Sequence, residues 1–452
     1  MRYFFSGLAV AMAGLMLSSA AFAAEGSDGA VTFHKEVLPI LQKNCQTCHR
    51  PGQSAPMSLL NYEAARPWAK AIKQAVSTRK MPPWFASPDT SHFIKNDPSL
   101  SQADIDTLAK WAGGGAPAGD PKDAPAPIQW PADGWQIKPD IIVEGPTYDV
   151  PARKIVEWTW VAFPSNFTED TWVTSIEVLP AQPQVTHHLC LSFRPYTPDV
   201  MFWVPQLNQP DIKRDEDGVE ILKPRPAGQQ QQTQVGGGIE ECYEPGRPPA
   251  DFRHYGAAKL IPAGTVIWLN LHYTPNGTTV TDHIRIGFTV AKEQPKRRYL
   301  ALSGSSPSDR KIFAIPPFDG NYEAPAAEFT FAENVELVGL MAHMHVRGKS
   351  NAFYLDYPDG RSEKILDVPR YDFNWQLWYD TSIQVQKGTK LRVIAHYDNS
   401  PNNKFNPDPS KTVYYGNQTW EEMHFPSFGV VVDDLSLDQR KVLARTPPPG
   451  AN

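Results

Sequence analysis

Apolar positions fall into two regimes along the 452-residue chain. From residue 32 to 117 they recur at helical spacing: Val37, Leu38, Ile40 and Leu41, then Ala69, Ile72 and Val76. Side chains three and four positions apart share a helical face, so these runs predict short amphipathic helices. A third helix is predicted over 101–111. Ser101 is placed to cap its first turn and Gly113 to stop it, a hydroxyl satisfying a free N–H and a glycine closing the helix without strain. Beyond residue 139 the period changes. β-Branched apolar runs at 266–273, 336–340 and 390–397 read as strands, with Pro-Asn-Gly and Pro-Asp-Gly turns elsewhere.

Roughly 300 residues of short strands make two ordinary β-sandwiches rather than one very large one, divided near residues 296–304. The segment 116–139, rich in Pro, Ala and Asp, reads as a linker. The expected organisation is a leader over 1–23, a small all-α domain over 24–117 and a linker over 118–139. Two mainly antiparallel β-sandwiches follow, over 140–297 and 298–452 with a tail. The Gln- and Gly-rich insert at 228–238 reads as a mobile surface loop, with a lid as the alternative to a bland insertion.

The first residues carry a basic start at Arg2, an apolar run over 8–17 and a small-residue exit through Ala21, Phe22 and Ala23. This pattern predicts a secretory signal peptide and a periplasmic or secreted product. No later stretch approaches the ~20 continuous apolar residues of a membrane helix, so no membrane insertion is expected. The 44 Pro and 13 Trp fit a turn-rich β body. The formal charge of −6 is spread without long blocks, which argues against nucleic acid or an anionic membrane as partner.

Four cysteines form two unlike pairs. Cys190 and Cys242 stand alone in the β-rich part, where an oxidising compartment permits a disulfide that spacing alone does not establish. Cys45-Gln-Thr-Cys48-His49 is the C-x-x-C-H signature of covalent haem attachment. Its two thiols add to the haem vinyl groups and the adjacent imidazole is held beneath the iron. A thioredoxin-like redox pair would require a βαβ context that the pattern lacks.

The remaining histidines supply a second signal. His187 and His188 are adjacent, His272 lies inside a strand run, His343 and His345 are two apart, and Met423 lies in Glu-Glu-Met-His. On a strand, side chains at i and i+2 leave the same face, so His343 and His345 can converge on one ion. Adjacent histidines point oppositely, so joint ligation by His187 and His188 requires a bulge or strand end. Imidazole and thioether donors without carboxylate favour copper cycling between two oxidation states over structural zinc. His396 and His424 are either groups that orient a ligand imidazole or ordinary strand residues. His34, His92, His254 and His283 read as structural or surface side chains.

Residues 31–117 resemble a small class I cytochrome c, and the 100–115 segment is similar to that family's closing helix. The resemblance implies one haem c held by Cys45, Cys48 and His49, with a downstream methionine as sixth ligand. Met81, in Arg79-Lys-Met-Pro-Pro-Trp84, suits this role best and Met57 is its rival. Ligation by Met and His leaves no open position and suits electron transfer.

Residues 135–432 resemble the type II copper, ascorbate-dependent monooxygenases, the family that hydroxylates peptidylglycine and dopamine. The matching pieces are Thr186-His-His-Leu, Leu271-His-Tyr, Ala342-His-Met-His with Gly348, and Glu422-Met423. The resemblance implies two jelly-roll sandwiches that face each other across a solvent-filled cleft, with one copper each. His187, His188 and His272 would bind the electron-supplying copper. His343, His345 and Met423 would form the catalytic site, where the second copper activates dioxygen to hydroxylate a C–H bond. Peptide-amidating members carry an Arg, an Asn and a Tyr where this chain has Met341, Phe425 and Ser427. The groups that would hold a peptide carboxylate are therefore absent, and a more apolar small-molecule substrate is expected.

The function expected is a copper-dependent monooxygenase that takes O2, a small substrate and electrons from a periplasmic one-electron donor relayed through the haem. The alternative is a non-catalytic haem and copper electron-transfer protein. A blue-copper site would need a ligating cysteine, for which only Cys190 stands near His187 and His188. A haem peroxidase is disfavoured, since the chain has no second C-x-x-C-H.

Overall fold

The computed structural model describes residues 29–154, 156, 158–196 and 238–444. The leader at 1–23 and all but Gly238 of the 228–238 insert lie outside the described residues. The chain is mostly antiparallel β-sheet, preceded by a region of a few short helices.

A π-helical turn at Phe33–Val37 leads into the helix Leu38–Asn44, and Tyr62–Ala65, Ala69–Ser77 and Gln102–Gly113 follow. Their apolar stripes meet in one cluster built on Phe33, Leu41, Ile72, Val76, Leu108 and Trp111. Ser101 caps the last helix, its Oγ accepting from the Asp104 N–H at 3.1 Å. The Phe33 N–H and the Trp111 indole N–H both donate to the Pro117 carbonyl, which ties the two ends of the region together.

In the first sandwich a four-stranded sheet runs in the order Thr159–Pro164, Thr265–Tyr273, Thr186–Pro195, Glu241–Tyr243. It packs on Ile141–Val150, Val280–Val290, Thr171–Leu179 and Ala257–Ile261 through Val161, Leu189, Leu191, Leu269, Ile286 and Phe288. The second sandwich pairs Arg297–Ser303, Ser427–Val432, Val335–Met341 and Trp378–Val385. Across its core lie Lys390–Tyr397, Gly348–Asp356 and Ser362–Val368. The Lys390–Tyr397 strand alternates fully, burying Leu391, Val393, Ala395 and Tyr397, as a strand covered on one face must. Parallel pairing of Arg297 with Ala257 and Arg298 with Ala258 fuses the outer sheets into one nine-stranded sheet.

Cys190 and Cys242 occupy one cross-strand register pair and form a disulfide, whereas Cys45 and Cys48 are not joined by one. Among the described residues no helix is long and apolar enough to cross a membrane.

The helical region and the linker are laid against the sandwiches. Ile94 enters the second core, and the Trp84 and Tyr379 rings lie 4.9 Å apart. Ser87 N–H donates to the Asp367 carbonyl at 2.7 Å and Lys95 N–H to the Asp380 carbonyl at 2.9 Å. Within the linker, the Trp130 ring carries the Arg50 guanidinium 4.1 Å above it. The Gln136 and Ile137 N–H groups share one Glu177 carboxylate oxygen.

Gly339 sits at a register shift, and a Cβ there would run into the Trp378 indole. Gly339→Ala is therefore expected to cost about 1–3 kcal/mol through overpacking. A urea titration should show a lower midpoint at an unchanged slope.

Candidate metal centre

The strand Thr186–Pro195 begins with a register shift between Thr186 and His188, which is the irregularity two adjacent histidines need to turn toward one point. His188 lies opposite His272 on the neighbouring strand. The candidate ligand atoms of His187, His188 and His272 all lie within 4.8 Å of one another. The Nδ1 atoms of His187 and His188 are 3.1 Å apart, a spacing that suits two imidazoles on one ion at about 2.0–2.1 Å. Asn270, two residues before His272, holds the His188 Nε2 at 2.9 Å through its Oδ1. An amide oxygen accepts there, so His188 carries its proton on Nε2 and presents Nδ1.

His343 and His345 lie just past the end of the strand Val335–Met341, in an extended segment. The sequence pattern placed them on a strand. Pairing stops at Met341, and the backbone of 421–425 takes over from there. Phe425 N–H donates to the His343 carbonyl at 3.1 Å. The Glu422 carboxylate accepts from the His345 N–H at 2.9 Å and the Arg347 N–H at 2.6 Å. The His345 Nδ1 donates to the Glu421 carbonyl at 3.0 Å, and the His343 Nδ1 faces the Gln376 Oε1 at 2.6 Å. Both rings therefore turn Nε2 away from their supports, and the His345 Nε2 is buried without a hydrogen-bond partner. Met423 follows Glu422 directly, and its carbonyl accepts from the Tyr397 hydroxyl at 2.9 Å.

The two sets are not held apart by a solvent-filled cleft of the kind the family resemblance implies. His345 is 0% and Met423 8% exposed, with His188, His272 and His343 between them. The Trp158 ring, from the first sandwich, lies 5.1 Å from His188, 5.3 Å from His272, 5.6 Å from His343 and 5.0 Å from His345, centroid to centroid. Phe373, from the second sandwich, lies 5.0 Å from His187, 6.0 Å from His272 and 6.1 Å from His345. Each sandwich thus contributes an aromatic ring to the other's histidines.

Burial dominates the protonation of these rings. It lowers His187 to about 4, with His343 adding, and lowers His343 to about 4 against the Gln376 bond. It lowers His345 to about 3, and His188 and His272 also fall well below the usual imidazole value. All five are neutral near pH 7, the form that binds metal. The unfolded chain binds protons on these imidazoles near pH 6.5 and the folded chain resists until about 4 or lower, so stability rises with pH across that interval. The metal-free protein should accordingly lose stability steeply as pH falls from about 6.5 toward 4. Denaturant midpoints measured across this range check the sign, and a flat profile would contradict it.

In the helical region, Cys45, Cys48 and His49 share one turn, the His49 N–H donating to the Cys45 carbonyl at 2.9 Å. Burial pushes the Cys45 thiol up to about 12, with Cys48 adding, and burial also raises Cys48. Burial lowers His49, opposed by a hydrogen bond to the Met57 backbone. Met81 lines a cavity of about 640 Å³ with Val76, Leu100 and Ile105 of the helical region and Pro369 and Arg370 of the second sandwich.

His396 faces Glu323 at 3.2 Å and the Ser350 hydroxyl at 3.4 Å. His424 is buried beside Met423, its Nδ1 3.3 Å from the Pro325 carbonyl and its Nε2 without a partner. His283 pairs with Glu144, His92 and His254 each pack on a neighbouring aromatic ring, and His34 packs on Phe33. Trp158, Phe373, Gln376 and Glu422 carry no periodic signal that would have singled them out. Asn270 does, since it shares a strand face with His272.

No family model matches the chain, and no curated protein matches it. Among solved structures it aligns with capsid structures of infectious bursal disease virus, the Gx strain at 9% identity over 68% of this chain and 77% of that one, TM-score 0.18. The Gt strain aligns at 9% identity over 70% and 77%, TM-score 0.16. The stem and receptor-binding domain of spike protein P1 from bacteriophage PM2 aligns at 8% identity over 66% and 98%, TM-score 0.12. Superpositions this loose carry no argument about fold or function.

Proposed function

We propose that this chain is an extracytoplasmic copper-dependent monooxygenase that hydroxylates a C–H bond of a small apolar substrate and carries a covalent haem c as its electron carrier. The observation that carries this reading is the donor chemistry. Three imidazoles come from the first sandwich, and two imidazoles followed by a methionine-bearing segment come from the second. The support groups fix the tautomers of His188, His343 and His345 and leave one nitrogen of each ring to bind an ion. Glu422, in this segment, spends both oxygens on main-chain N–H groups. An imidazole and thioether set of this kind selects copper.

Bound copper would supply one-electron chemistry with dioxygen, and haem c would supply a buried one-electron reservoir. The overall change is R–H, O2, two electrons and two protons to R–OH and water. The chain's own part is to hold the imidazoles neutral and aimed and to exclude water with Trp158 and Phe373. Each sandwich is proposed to be a jelly roll. Cys45 and Cys48 would hold the haem covalently and His49 would bind its iron. The Met57 backbone is hydrogen-bonded to that imidazole, and Met81 is proposed over Met57 as the thioether that would complete the haem's ligation.

Metal and haem analysis of the purified protein tests the reading. About two coppers and one haem that stays on the polypeptide after acid denaturation are expected. Met81→Ala should abolish the Met-ligated spectrum and Met57→Ala should leave it intact. A haem that extracts freely, or zinc in place of copper, would overturn the assignment.

A further inference from the structure

The two histidine sets sit on different sandwiches, yet four of their rings pack against a single indole, Trp158. Phe373 closes the same space from the opposite sandwich and touches rings of both sets. The arrangement is held by more than side-chain packing. The Trp158 backbone N–H donates across the sandwich boundary to Gln418 Oε1 at 3.2 Å, and Gln418 N–H in turn donates to Glu421, whose carbonyl holds the His345 ring. A continuous chain of bonds therefore runs from the indole that rests on His188 and His272 to the ring of His345.

We propose that the two histidine sets form one closed dinuclear copper compartment, walled by Trp158 and Phe373, in which the two ions lie close enough to couple magnetically. This rests on the copper reading above and departs from two isolated ions separated by open solvent. Trp158 is a positioning residue in it. Its flat ring sets the separation of the sets, and its removal would let the two sandwiches' histidines drift independently.

Electron paramagnetic resonance of the haem-containing protein titrated with Cu(II) tests this without turnover. The ferric haem signal is present in the copper-free protein and is subtracted. The second equivalent should broaden the signal of the first and bring up a half-field line, the mark of a coupled pair. His272→Ala and His345→Ala should each keep one narrow copper signal and lose that line. Trp158→Phe, which keeps a flat ring, should retain the line, and Trp158→Ala should bind two coppers with the line lost. Two bound equivalents that simply sum the two single-site spectra would overturn the inference and leave the copper reading standing. A Trp158→Ala protein that keeps the wild-type coupled spectrum would overturn the role given to the indole. Binding of fewer than two equivalents by the wild type would bring down the copper reading itself.

Discussion

Replacing Met423 by Ala is expected to nearly silence hydroxylation while the protein stays folded and keeps the copper of the His187, His188 and His272 set. Met423 lies between two anchored residues. Glu422 is fixed by the N–H groups of His345 and Arg347, and Phe425 by the His343 carbonyl. The segment that carries the thioether is thus held by backbone bonds that the substitution leaves untouched. Truncating a buried Met to Ala costs about 2–5 kcal/mol of stability, which a two-sandwich body can absorb. Removing one of three donors from a soft site should lower copper affinity there on the order of 10–100-fold or more. Copper content should fall from about two to about one per chain. His272→Ala should instead empty the three-histidine set. If Met423→Ala leaves copper content and turnover unchanged, Met423 is not a ligand.

The second large effect concerns the haem. Changing Cys45 and Cys48 together to Ala removes both points of attachment, and turnover driven by a periplasmic one-electron donor should fall on the order of 10²-fold, the scale on which intramolecular delivery exceeds encounter from solution. Ascorbate, a small reductant, should restore much of the rate, because the histidine sets are untouched. In the wild type, rapid mixing of the fully reduced protein with O2 and substrate should show ferrous haem reoxidising in step with product. Truncation before Trp130 is the wrong way to remove the haem. Ile94 is part of the second core, and Ser87, Lys95 and Asn96 hydrogen-bond to strands of that sandwich, so a truncated chain would lose stability as well as the haem. A haem that stays ferrous while product accumulates would contradict the relay.

Much of this was legible in the sequence where one segment dictates its own geometry. The alternation at 390–397 is a half-buried strand and nothing else, and the structure bounds it as Lys390–Tyr397. The adjacency of His187 and His188 already demanded an irregular strand start, and the register shift lies there. What depends on two distant segments meeting was not legible. His343 and His345 share a face of an extended chain, yet the strand stops at Met341 because Phe425 and Glu422 satisfy the backbone beyond it. Spacing left the Cys190–Cys242 pairing open, and the cross-strand register closes it. The linker's composition suggested a tether, but Trp130 and the Gln136–Ile137 amides find partners on the folded body. The closeness of the two histidine sets rests on Trp158 and Phe373, whose positions follow from how the sandwiches pack and from no local pattern.

The most direct test of the central claim is turnover under isotopically labelled dioxygen with the protein carrying both haem and copper, across a panel of small apolar substrates and with mass spectrometry of the products. The account predicts a hydroxylated product bearing one labelled oxygen, formed only when copper is present and lost in Met423→Ala. A fully loaded protein that passes electrons from its haem to the copper sites and onward, yet places no labelled oxygen in any product, would contradict it.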